Sequence, residues 1–156
     1  MAGATPILVH NTNGVCNQND PSSQTSQVAM NARMIERVKP GQNVAVYRIG
    51  SGDDSIFLAA ANDPGGLHSE EILDSYLDAN GISPDDVTEI YAERVPCSTD
   101  PHNCSARMGR YGNADISWSL NPDGINNGAK NAGAIARSMG SYLGAPSGLP
   151  GFEWIG

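Results

Sequence analysis

The segment from Asn43 to Ala61 limits the fold of this chain more than any other. NVAVYRI and SIFLAAA are short runs rich in Val, Ile, Tyr and Phe, and between them stands Gly50-Ser51-Gly52-Asp53-Asp54, which is turn chemistry. Two such runs joined by a short glycine-bearing turn predict a β-hairpin.

Helical spacing lies on either side of it. Over residues 26–39 the apolar positions Val28, Met30, Met34, Ile35 and Val38 recur at helical intervals, with Arg33, Glu36 and Arg37 on the wetter side and Pro40-Gly41 as the stop. Over 67–80 the positions Leu67, Ile72, Leu73, Tyr76 and Leu77 do the same, ended by Gly81. Strands follow at 87–93 and 115–120, with a short helix at 104–110 between them and a last helix at 127–143 that carries Ile135, Met139 and Tyr142. The order helix, two strands, helix, strand, helix, strand, helix predicts an α/β sheet with helices laid on its faces. The crossover through 67–80 is long enough to make neighbouring strands parallel. Residues 1–25, rich in Asn, Ser, Gln, Thr and Gly, read as an irregular lead-in to a domain over 26–156, and Trp154 is expected to pack back from a Pro- and Gly-rich tail.

A length of 156 residues suits one domain with a core large enough to stand without disulfides. The odd count of three unevenly spaced cysteines argues against a disulfide framework and points to a metal or a free thiol in a reducing compartment. No apolar run approaches the ~20 residues that span a bilayer, and no secretion signal is recognisable. With 17 acidic and 9 basic side chains the formal charge is −8, which opposes binding to nucleic acid by bulk phosphate attraction. Arg94, Arg107 and Arg110 stand close in sequence to two cysteines and would give at most a local grip on a backbone.

The chemistry concentrates in two places. His68-Ser69-Glu70 opens the helix predicted at 67–80, and Pro96-Cys97 directly follows a strand, with Cys104 opening the next helix. An imidazole and two thiolates can therefore converge at the ends of neighbouring helices. Zn²⁺ favours four nitrogen and sulfur donors, so three protein ligands leave one position for water, whose pKa the metal lowers. A carboxyl group beside the metal, but not bound to it, is then needed to move protons, and Glu70 is placed to do so.

The segment HSEEILDSYLDANGISPDDVTEIYAERVPCSTDPHNC, from His68 to Cys104, resembles the cytidine deaminase-like superfamily, especially the bacterial polymorphic-toxin deaminases with a Glu-Arg-x-Pro-Cys run. The resemblance implies a three-layer α/β/α sandwich around a mixed sheet of four to five strands. It implies one Zn²⁺ per chain held by His68, Cys97 and Cys104, with Glu70 as general acid and base, and cytosine as the most frequent substrate. Members commonly separate the two cysteines by two to four residues, whereas STDPHN stands between them here, which leaves His102 as the competitor to Cys104. Thr5-Pro-Ile-Leu-Val-His10-Asn11-Thr12 is similar to the end of a Hint, or intein-like, module, which would make Asn11-Thr12 a vestigial release junction ahead of a toxin domain.

Asn62, Ser69, Tyr91, Arg94 and Pro96 are the candidate substrate contacts. Each has a plainer reading: a turn residue for Asn62, sheet packing for Tyr91, and a solvated Glu93-Arg94 pair at a strand end. Glu71 reads as an exposed carboxylate favoured by the helix dipole. The expectation is a hydrolytic cytosine deaminase acting on DNA, most readily single-stranded, because a stacked base cannot reach the site. It would be a monomer, delivered as part of a larger secreted toxin into the cytoplasm of a target cell and blocked there by an immunity protein. A deaminase of free nucleosides or nucleotides, favoured by the acidic balance, and a non-catalytic zinc-stabilised binding module are the competing classes.

Overall fold

The computed structural model describes residues 16–18, 24–94, 103–120 and 150–156, the side chains of 16–18 and 120 excepted. The elements are β1 (Cys16–Gln18), α1 (Gln24–Ile35), β2 (Val44–Ile49), β3 (Ile56–Ala61), α2 (Ser69–Ala79), β4 (Val87–Arg94), α3 (Cys104–Arg107), β5 (Asp115–Leu120) and β6 (Glu153–Trp154). The strands form one mixed sheet in the order β1-β5-β4-β2-β3-β6. The expected hairpin is present, with β2 antiparallel to β3 and Val44 opposite Ala61.

Alternation along β2 and β3 divides the core in two. Ala45, Tyr47, Leu58 and Ala60 join Leu73 and Leu77 of α2, and Val87, Ile90, Met108, Tyr111 and Ile116, on one face. Val44, Val46, Phe57, Ala59 and Tyr91 join Val28, Ala29 and Ala32 of α1 on the other. Because side chains of a strand point alternately to opposite faces, strands this apolar must be covered twice, and α1 and α2 supply the two outer layers.

Four expectations change. The sheet gains short edge strands β1 and β6, so the lead-in is not wholly irregular; neither CNQ nor EW carries the alternation that marks a strand. The helix expected over 26–39 ends at Ile35, and Arg37 turns the chain through a left-handed backbone (φ 54°). Its buried stripe runs through Val28, Ala29, Ala32 and Arg33, while Ile35 is exposed. The crossover through α2 does not seat β4 beside β3. It passes over β2, to which β4 pairs antiparallel, and the parallel neighbour of β4 is β5. Trp154 does pack back, against the α1-side core. The helix expected over 127–143 lies outside the described residues.

Arg33 is 1% exposed, not on the wetter side of α1. It donates to Glu93, itself 1% exposed, through Nε and Nη2, and to the carbonyls of Val38, Lys39 and Gln42. Glu93 also accepts from the Val44 N–H. Its partner is a helix sixty residues away and not the adjacent Arg94.

Candidate active site

The register sets the place of the site. Val44 opposite Ala61, and Ala45 opposite Ala92, gather Asn43, Asn62 and Arg94 at one end of the three central strands. The N-terminus of α2 sits over that end. His68 is its N-cap, in extended backbone (φ −80°, ψ 154°), and the His68 N–H donates to Glu71 Oε2 at 2.9 Å. Glu71 is thereby buried against the helix start and is not the exposed carboxylate read from the sequence. At the far end Asn80 hands over to Gly81 (φ 66°), and the Ile82 N–H closes on the Leu77 carbonyl, a left-handed stop that favours glycine.

Two side chains of the expected chemistry meet here, and a third stands on the same helix start. Cys104, fully buried at the first turn of α3, places Sγ 3.4 Å from His68 Nδ1. Asn103 turns the chain into α3 through the left-handed region (φ 41°), a conformation that asparagine adopts more readily than most residues. Glu70, two residues from His68, is 2% exposed.

Glu70 is held by a relay whose direction is fixed. The Arg94 N–H can only donate, so Asn43 Oδ1 accepts from it (3.0 Å), which turns Asn43 Nδ2 toward Ser69 Oγ (2.9 Å). An ionised Glu70 can only accept, so the Ser69 proton goes to Glu70 Oε2 (2.8 Å). The Ser69 N–H is in turn accepted by Asn62 Oδ1 at 2.9 Å. Burial raises the Glu70 carboxyl above the usual range, while the helix-start N–H and the Ser69 hydroxyl pull it back in part. A carboxyl pushed upward in this way holds a proton more readily than a free glutamate, which is the direction a proton carrier needs.

Behind Glu70 lies Asp74, 2% exposed, whose Oδ1 accepts from Tyr47 (3.0 Å) and from Tyr111. The two rings meet edge to face, 5.4 Å apart at 75°. Burial raises the Asp74 carboxyl, opposed by the hydroxyls of Tyr111 and Tyr47.

The structure thus brings His68 to Cys104 and, at the same helix start, joins Ser69 to Glu70 and Asn62. Cys97, Pro96 and His102 lie outside the described residues, and among the described residues no group of three or more His, Cys, Asp or Glu is arranged to hold a metal. Tyr91 is not at the site: it is 1% exposed on the α1 face of the sheet, the face opposite α2, and its hydroxyl donates to Ser119. Arg94 has both terminal nitrogens on the carbonyls of Gly41 and Pro40, so its guanidinium braces the turn before β2. Asn43 is the site residue that sequence reasoning missed. Its only signal is an amide directly before a buried apolar run.

The donor pair suits zinc. Zn–N of ~2.0–2.1 Å and Zn–S of ~2.3 Å in a tetrahedron set the nitrogen and sulfur about 3.6 Å apart, close to the 3.4 Å between His68 and Cys104.

An α/β sandwich with an imidazole, a thiol and a buried carboxyl at one end of its sheet has the parts of a hydrolytic deaminase domain. Residues 40–140 match the model of the family described as Xanthomonas-like deaminase, and the chain belongs to that family. The matched span includes every site residue named above. No curated protein and no solved structure matches the chain.

Proposed function

We propose that the chain is a zinc-dependent hydrolytic deaminase that converts cytosine to uracil in DNA, most readily single-stranded. The observation that carries this reading is the approach of His68 and Cys104 at the helix start whose first turn carries the buried Glu70. Cys97 is the third ligand in this proposal. When bound, zinc would supply the Lewis acidity that makes water a nucleophile near neutral pH.

The chain's own residues do the rest. Glu70 takes a proton from the attacking water and delivers protons to the ring nitrogen and to the departing amine, so that a C–O bond forms, the C–N bond breaks, and uracil and ammonia leave. Ser69 and Asn43 hold the Glu70 carboxylate in one orientation. Asn62, fixed through Oδ1 on the Ser69 N–H, keeps its Nδ2 available to a substrate oxygen. The toxin setting, with delivery into a target cell, a monomeric enzyme and an immunity protein over the site, is supported by the sequence resemblance. Among the described residues no helix is long and apolar enough to cross a membrane.

A second reading, deamination of free nucleosides or nucleotides, is favoured by the charge of −8 and by the pairing of Arg94, Arg107 and Arg110 with groups of the chain itself. Cytidine, deoxycytidine monophosphate and a cytosine-bearing oligonucleotide, offered to wild type and Glu70→Ala, separate the two. Turnover of the oligonucleotide is expected, with Glu70→Ala retaining zinc and fold and losing roughly 10²- to 10⁴-fold in rate. Turnover of the free compounds alone overturns the DNA assignment. Retention of rate within a few-fold in Glu70→Ala removes Glu70 as the proton carrier.

A further inference from the structure

The two zinc donors that the structure brings together belong to different helices, and their separation must be held by something outside the ligands. α3 has four residues and passes at once into a single 3-10 turn at Met108–Arg110, so its own backbone hydrogen bonds cannot hold Cys104 in place. Opposite it, α2 presents Glu71, Asp74 and Asp78, spaced at i, i+3 and i+7 along one stripe. Arg107 and Arg110 face that stripe. Arg107 Nη2 lies 3.1 Å from Glu71 Oε1 and Nη1 lies 3.6 Å from Asp74 Oδ2, while Arg110 Nη2 lies 2.6 Å from Asp78 Oδ1.

Glu71 joins this row to the metal end. One of its oxygens accepts from the backbone N–H of His68 and the other faces Arg107, three residues after Cys104. Asp74 in turn is fixed from behind by Tyr47 and Tyr111. A short covalent and hydrogen-bonded path therefore runs from His68 through Glu71 to Arg107 and back along α3 to Cys104.

We propose that Arg107 is a positioning residue that holds Cys104 at ligand distance from His68 by clamping α3 onto the Glu71 and Asp74 carboxylates of α2. It rests on the zinc reading for its purpose, but the clamp itself is a property of the protein without metal. The arginines beside the cysteine are thus committed to building the site instead of gripping a phosphate backbone. Arginine suits this task because its planar fork reaches two carboxylates from one residue, which a lysine ammonium on a flexible stem does less well.

The test compares wild type, Arg107→Gln, Arg107→Lys and Glu71→Gln; the last keeps an oxygen for the His68 N–H and removes the charge facing Arg107. Two readouts are used. Zinc affinity is measured by competition with a chromophoric chelator, and in metal-free protein the alkylation rate of Cys104 is followed by peptide mass mapping, which separates it from Cys16 and Cys97. Loss of a group that supports a metal ligand typically weakens binding by ~10- to 100-fold. Arg107→Gln and Glu71→Gln are expected to show a loss of that size, with faster Cys104 alkylation, and Arg107→Lys to recover part of both. Unchanged zinc affinity together with unchanged Cys104 alkylation in a folded Arg107→Gln, whatever its melting temperature, overturns the proposal. If Arg107→Gln does not fold, Arg107→Lys and Glu71→Gln decide the matter on the same two readouts. Absence of zinc binding in wild type sinks the zinc reading alone, and the alkylation rates then still decide the clamp.

Discussion

Asn43 offers the sharpest perturbation of this site, because it touches neither expected ligands nor substrate and yet sets the direction of every proton in the relay to Glu70. Asn43→Ala removes two bonds at once. The Arg94 N–H loses its acceptor in a half-buried place, which costs ~1–3 kcal/mol, and loss of the bond to Ser69 adds ~0.5–1.5 kcal/mol, so about 2–4 kcal/mol of stability should go. At ~2–4 °C per kcal/mol for a chain of this size, the melting temperature should fall by about 4–16 °C. Asn43→Asp separates stability from catalysis. Its carboxylate still accepts from the Arg94 N–H, but it offers an acceptor to Ser69 where the amide offered a donor. The single Ser69 proton must then be shared between two carboxylates, and Glu70 loses its fixed orientation. General acid and base catalysis is worth ~10²–10⁴, and losing orientation while keeping the carboxyl should forfeit about a tenth to a half of that on a logarithmic scale. Ammonia release from the accepted substrate should show kcat lowered while KM stays nearly constant in both variants. A folded Asn43→Asp with wild-type kcat would refute the relay.

Three further outcomes follow from the packing. Glu93→Ala leaves the Arg33 guanidinium buried with one charge uncompensated and should cost ~3–5 kcal/mol by urea denaturation; a loss below ~1 kcal/mol would mean that the carbonyls of Val38, Lys39 and Gln42 suffice. Burial raises Asp74 above its unfolded value, so the folded state binds the proton more tightly and the penalty for ionising it is absent at low pH and complete above the folded pKa. Relative to Asp74→Asn, wild type should therefore gain stability as pH falls through that window, and a relative loss there would contradict the shift. Cys97→Ala should lose metal and stability together, read by elemental analysis and thermal melting; a variant that keeps stoichiometric zinc would remove Cys97 from the ligand set.

The inner strands were legible as short apolar runs bounded by turn residues, and α2 because its apolar positions recur at 3.6. What escaped is what depends on partners distant in sequence. Arg33 stands among polar positions of α1, and only Glu93 arriving from β4 makes its burial tolerable. The place of β4 beside β2, and not β3, is a choice between two edges of one hairpin, about which local periodicity is silent. Asn43 and Glu71 look like ordinary polar residues until the register sets one beside Arg94 and the fold sets the other beside Arg107. That His68 and Cys104 approach each other could be expected, because an imidazole and a thiolate are donor types that zinc takes.

The same accounting bears on the substrate. Of the nine basic residues, Arg33, Arg48, Arg94, Arg107 and Arg110 are each bound to carboxylates or carbonyls of the chain itself. Arg37 and Lys39 have no ion-pair partner among the described residues, and Lys130 and Arg137 lie outside them. At most these four are free to displace counterions from a phosphate backbone. For single strands log K falls with log salt at about −0.7 per phosphate neutralised, so the slope for a cytosine oligonucleotide on Glu70→Ala should be no steeper than about −2.8. If such a protein takes a strand, it must hold it through contacts at the base, and raising salt should weaken it far less than it weakens a basic DNA-binding domain. A slope near −5 by fluorescence anisotropy would show that the paired arginines let go of their partners when nucleic acid binds, and the charge of −8 would then say little about what this protein can hold.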